Sequence, residues 1–125
     1  MNPLIAVALG GALGALGRYG TQALIVRFFG ASFPLGTLTV NIAGSFLMGF
    51  LVHLLLVRDA SAEVRGFILV GCLGALTTFS TFSLDAVTLY ERGDHGLAAF
   101  YVAASVVLSI AALFAGIGIS RALFS

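Results

Sequence analysis

The chain has 125 residues, of which 60% are hydrophobic and only 9% charged, with a formal net charge of +1. A soluble domain carries about a quarter charged residues, so this composition is that of an integral membrane protein. The six cations are all arginine (Arg18, Arg27, Arg58, Arg65, Arg92 and Arg121), and they form no basic stripe, which excludes nucleic acid as a partner.

The predicted elements are helices of about 20 residues or more, the length a hydrocarbon core requires. The first span runs from about Pro3 to Phe29 and is interrupted by Arg18. Its Gly10 and Gly14 make a GxxxG face that lets helix backbones approach closely in lipid. Met1-Asn2-Pro3 lacks the positive n-region of a signal peptide, and the apolar stretch outruns a signal core, so the span is expected to be retained. After a short loop, Gly30 to Pro34, the second span runs from about Leu35 to Val57 and contains Asn41, Ser45 and His53. Arg58 to Arg65 is the most charged stretch and reads as a loop. The third span runs from about Gly66 to Tyr90, Glu91 to Gly96 is a turn, and the fourth span runs from about Leu97 to Leu123. Ala112 and Gly116 give the fourth span a small-residue face. Residues 1–125 make one all-α transmembrane domain with no linker. Cys72 is the single cysteine and has no internal disulfide partner. His53 reads as a lone interfacial residue and His95 as a turn residue. Neither has a cysteine or carboxylate at metal-site spacing.

The densest chemistry lies between Gly71 and Ser83. Thr77, Thr78, Ser80, Thr81 and Ser83 put five hydroxyls into seven positions, interleaved with Phe79 and Phe82. Lipid offers no hydrogen bonds, so such a cluster must face protein, water or a permeating species. Gly71 and Gly74 followed by this run weaken a helix, because hydroxyl side chains compete for backbone hydrogen bonds. A break is expected near Gly74 to Thr78. It would free backbone groups at membrane depth, as broken helices at ion sites do. Phe79 and Phe82, three apart, are expected to share one helix face, either as core aromatics or beside a pathway. Tyr101, Ser105 and Ser109 recur every four residues along one stripe of the fourth span. Their polar groups form a ladder, or else the serines bond their own backbone.

Charge gives little orientation. With four spans, Arg58, Arg65 and Arg121 share one side, and Arg27 and Arg92 the other, with Arg18 at uncertain depth. The orienting signal is a cationic excess in short loops, and here there is almost none. Either the chain has one orientation that the count fails to show, or it inserts both ways and pairs antiparallel.

Three blocks carry a resemblance. Gly10 to Tyr19 (GGALGALGRY), Gly36 to Ser45 (GTLTVNIAGS) and Gly71 to Ser83 (GCLGALTTFSTFS) resemble the Fluc family of fluoride channels, also called CrcB proteins or fluoride exporters. They fill about a quarter of the chain, and the third block is the specific one. The resemblance implies an antiparallel, dual-topology homodimer in the cell membrane. It implies two pores for passive fluoride efflux, protecting the cell from fluoride, and a structural sodium ion at the dimer centre.

Fluoride is a small, strongly hydrated acceptor, so a pathway must replace its water with donors that hold it loosely enough to release it. Asn41 offers an amide NH₂ and the hydroxyls offer O–H donors. The edge of an aromatic ring is the positive part of its quadrupole. The resemblance implies that Phe79 and Phe82 line the pores. It places Tyr101, Ser105 and Ser109, with Ser80 and Thr81, on a polar track. It assigns the sodium ligands to the backbone carbonyls of Gly74 and Thr77 from both subunits. The family's Gly-Gly pair reads Gly74-Ala75 here, and alanine tolerates positive φ poorly. Arg18 and Asp85 are the charges expected within the apolar zone. They sit either at an aqueous vestibule or in a structural ion pair. The rival readings are a small multidrug-type transporter and a non-transporting scaffold subunit. The former needs a membrane carboxylate that the first span lacks. No nucleophile–base or metal constellation points to an enzyme.

Overall fold

In the computed structural model, which describes residues 2–124, every regular element is helical. The order is α1 (Pro3–Phe29), α2 (Leu35–Val57), α3 (Ala62–Arg65), a π-helical segment (Gly66–Leu73), α4 (Gly74–Leu76), α5 (Ser80–Glu91) and α6 (His95–Phe124). Ala62–Glu91 acts as one span, so four helical spans are long and apolar enough to cross a membrane.

Local chemistry sets the ends. Asn2 accepts a hydrogen bond from the Leu4 N–H at 2.8 Å, and Pro3 opens α1, the position where a missing N–H costs nothing. Gly30, at φ 78°, lets the chain leave α1. Two boundaries differ from the sequence expectation. The third span begins at Ala62 rather than Gly66, because Ser61 caps the Val64 N–H at 3.2 Å and starts a helix inside the charged stretch. The fourth begins at His95 rather than Leu97. Gly93, at φ 91°, completes the turn early, and the His95 ring stacks on Tyr90 at 4.4 Å between centroids. Arg92 ties this end together, donating to Asp94 at 2.8 Å and to the Ser32 carbonyl at 2.7 Å.

Glycine decides which helices touch. α1 packs on the π-helical segment and α2 on α6. A Cβ on Gly10 would run into the Phe67 carbonyl, and one on Gly14 into the Cys72 carbonyl. The expected GxxxG face is therefore the contact between the first and third spans. Gly49 lies against the Leu113 carbonyl and Gly116 against that of Phe46. At the far end of this pair, His53 Nδ1 and Ser120 Oγ are 2.8 Å apart, with Ser120 fully buried. His53 thus pairs across a helix interface instead of standing alone. Large apolar side chains such as Leu16, Val107 and Phe114 are exposed, as suits a surface bathed in lipid.

Gly116→Val should destabilise the protein by about 3 kcal/mol, since the obstructing atoms are backbone and cannot rotate away. Gly118→Val, with open space around the added Cβ, should be close to neutral. Thermal unfolding in detergent reads the difference. Equal melting of the two variants would show that the α2–α6 contact is not set by Gly116.

Candidate functional site

The third span is interrupted at Thr77–Phe79, where three residues leave the helix between α4 and α5. The break therefore falls at the C-terminal end of the expected range, and Gly74–Leu76 remain helical. Thr77 is extended, with φ −81° and ψ 157°. Ala75 is not among the residues with positive φ. This stretch is right-handed helix, which alanine favours, so the absence of a second glycine imposes no strain.

Asn41 of α2 holds the break. Its Nδ2 donates to the Thr78 carbonyl at 3.0 Å, and its Oδ1 accepts from the Thr78 N–H at 2.7 Å. The side chain imitates a neighbouring peptide and satisfies both backbone groups of the unwound residue, as a low-dielectric interior demands. Its NH₂ retains one donor hydrogen. Thr78 in turn caps α5, its Oγ1 accepting from the Thr81 N–H at 3.1 Å. Gly44 leaves room for this, since a Cβ there would strike the Thr77 side chain.

These bonds redirect two helical donors. In an unbroken helix the Thr78 N–H would bond the Gly74 carbonyl, and the Thr81 N–H the Thr77 carbonyl. Here the first goes to Asn41 and the second to the Thr78 hydroxyl. Both carbonyls assigned to sodium by resemblance thus lose their usual partner. No cluster of three or more His, Cys, Asp or Glu side chains suited to a metal occurs among the described residues.

The break opens onto a groove of about 510 Å³ between α2, the third span and α6. Asn41, Phe79, Phe82, Ser105 and Ser109 line it, with Gly74 and Thr77 at the break. Ser105 is buried, and neither its Oγ nor that of Ser109 has a hydrogen-bond partner. The alternative in which these serines bond their own backbone is therefore not what occurs. Unpaired buried hydroxyls cost free energy, so a polar guest in the groove would satisfy them.

The two phenylalanines meet at the start of α5, where Phe79 is the residue before the helix and its carbonyl accepts from the Ser83 N–H at 2.9 Å. Phe82 is buried within α5, whereas Phe79 sits in the break and is 77% exposed. Their ring centroids are 5.5 Å apart. Phe79 keeps right-handed helical dihedrals, so the two rings stay neighbours as the spacing of three predicts. Phe82 continues to Tyr101 at 5.4 Å, and Tyr101 meets Phe33 edge-on at 5.6 Å.

The remaining predicted residues lie around this groove. Tyr101 is fully buried and donates from its hydroxyl to Asp85 at 3.2 Å. Thr81 and Asp85 line a second, smaller cleft of about 170 Å³ near the 30–34 loop, along with Gln22 and Thr37. Arg18 Nη1 donates to Thr81 Oγ1 at 3.2 Å, while its Nε is buried without a partner. Arg18 and Asp85 do not form an ion pair; the one salt bridge among the described residues is Arg92–Asp94. Ser80 is exposed and lies 3.4 Å from the Thr78 hydroxyl. Sequence reasoning missed Thr78 as the organiser of the break. Its signal was the Thr-x-x-Thr spacing of a helix cap. It also missed the Gln22–Thr37 bond, 3.1 Å, which joins α1 to α2.

Four apolar spans, an interruption midway along the third and a hydroxyl-lined groove at that interruption define a small multi-pass membrane protein. The chain belongs to the CrcB family: the family model described as "CrcB-like protein, Camphor Resistance (CrcB)" matches residues 5–117. It is 56% identical over 119 residues to the fluoride-specific ion channel FluC of Agrobacterium fabrum, covering 94% of this chain and 95% of that protein. It is 54% identical over 121 residues to the fluoride-specific ion channel FluC of Cereibacter sphaeroides, covering 97% and 96%. The protein of the same name from Rhodospirillum centenum is 49% identical over 122 residues, covering 97% of each chain.

Proposed function

We propose that this chain is a fluoride-selective channel that lets fluoride leave the cell passively and so protects it from fluoride. The observation that carries the reading is the groove, where Ser105 and Ser109 hold hydroxyls without protein partners in a space that Phe79 and Phe82 also line. Each hydroxyl can donate to a dehydrated anion, and a hydrogen bond to a charged group contributes about 1.5–3 kcal/mol. Several such contacts in series, none a full positive charge, suit an ion that must leave as readily as it enters. Arg18, with its partly unsatisfied guanidinium at the Thr81 end, supplies the attraction that draws an anion to the vestibule. Fluoride enters acidified cells as neutral HF and dissociates inside, so a passive anion leak suffices. Purified protein in liposomes loaded with potassium fluoride should release fluoride once a potassium ionophore is added, with no proton gradient. Release only under an imposed proton gradient would exclude a passive channel, and no release at all would exclude the fluoride reading.

The active form in this proposal is an antiparallel homodimer in the cell membrane, with two pathways and a central sodium ion. The donor chemistry fits sodium: the Gly74 and Thr77 carbonyls are hard oxygens released from the helix ladder at the break. One chain offers too few such oxygens, and a second copy related by a two-fold axis would double them. When bound, the ion would contribute positive charge near the groove. Orientation is tested with Cys72→Ser as background and Gly96→Cys as reporter, a site with open space around the new side chain. Labelling is expected from both faces of the membrane, and labelling from one face only, in fully active protein, would exclude the antiparallel dimer. Extra arginines in the 58–61 turn should fix one orientation and lower activity until an oppositely biased copy is co-expressed.

A further inference from the structure

The wall of the groove opposite Ser105 and Ser109 belongs to α2. The two helices run in parallel with a common register. Phe33, just before α2, meets Tyr101; Gly49 lies against Leu113; His53 bonds Ser120; and Arg58 stands over the Phe124 ring at 5.6 Å. This register sets Asn41 opposite the turn of α6 that begins at Ser105, and Ser45 opposite the turn that begins at Ser109. Asn41 and Ser45 are four apart, hence on one face of α2 and one turn from each other. Both line the groove. Asn41 spends one donor on Thr78. Ser45 borders the same space as Ser105 and Ser109, whose buried Oγ atoms have no hydrogen-bond partner.

We propose that Ser45 is a further binding residue of the pathway, donating its hydroxyl to the anion from the α2 wall while Ser109 donates from the α6 wall. A dehydrated anion needs donors on more than one side, and a ladder on α6 alone leaves the opposite wall apolar at this level. This inference rests on the fluoride reading above. The experiment compares wild type, Ser45→Ala and Ser45→Thr in the same fluoride-efflux assay, over a range of fluoride concentrations. Ser45→Ala should slow efflux about tenfold, the size of one lost hydrogen bond to an ion, and raise the concentration of half-maximal flux. Ser45→Thr, which keeps the hydroxyl, should restore both. If wild type conducts and Ser45→Ala is within twofold at the same half-saturation, Ser45 is not in the pathway. A slower rate at unchanged half-saturation also overturns the inference, since it reports packing and not binding. Silent wild type would instead overturn the fluoride reading. Should Ser45→Ala aggregate on gel filtration, Ser45→Cys, close in size and a weak donor, takes its place with the same decision rule.

Discussion

Asn41→Asp is expected to reduce fluoride efflux to the background of protein-free liposomes. Two physical effects act together. A carboxylate still accepts from the Thr78 N–H, but it presents oxygen to the Thr78 carbonyl, where Asn41 now donates at 3.0 Å. That places two acceptors face to face and leaves the break unsupported, at about 1–3 kcal/mol for the lost partner. The carboxylate also faces the groove. At about 5 Å and an effective dielectric of about 20, its repulsion of an anion is about 3 kcal/mol, or about a hundredfold in occupancy. The two effects separate in Asn41→Leu, which lacks the charge and should retain more flux than the aspartate. Flux through Asn41→Asp equal to wild type would remove this groove from the pathway.

Phe79→Ile and Phe82→Ile should each lower efflux at least tenfold, with different structural consequences. Isoleucine stays apolar but has no polarised ring edge, the feature that can meet an anion. Phe82 is buried in the small cluster with Leu89, Ala98 and Tyr101, so its replacement should also cost about 1 kcal/mol of stability. Phe79 is 77% exposed, and its loss should leave the melting temperature of the isolated chain unchanged. A flux defect in Phe79→Ile without a stability defect would therefore report on permeation alone. Normal flux in both variants would return Phe82 to the core and Phe79 to a contact surface.

Much of the architecture was legible in the chain. Length, apolar composition and the positions of the charged turns determine four membrane spans, because a bilayer admits only segments whose backbone bonds itself. The first two apolar stretches are occupied by the helices Pro3–Phe29 and Leu35–Val57. The glycine pairs were readable as packing faces, since small residues are what close helix approach needs in lipid. The hydroxyl-rich stretch announced a break for a local reason, the competition of Thr and Ser with the helix ladder.

The tertiary structure decided where that break falls and what it does. Gly74 was the local candidate, yet the helix continues to Leu76 and opens at Thr77. The deciding contact comes from α2, where Asn41 offers both a donor and an acceptor to Thr78. No local rule links residues 37 positions apart. The fold also decided that Phe82 is buried while Phe79, three residues earlier, is exposed. Likewise Arg18 and Asp85, equally readable as an ion pair, end on different partners, Thr81 and Tyr101. Sequence alone determined which groups this chain brings into the membrane, because propensity and hydropathy act over a few neighbouring residues. Which of them meet was left to helix packing, because a hydrogen bond in lipid forms with whichever partner the register of two helices supplies.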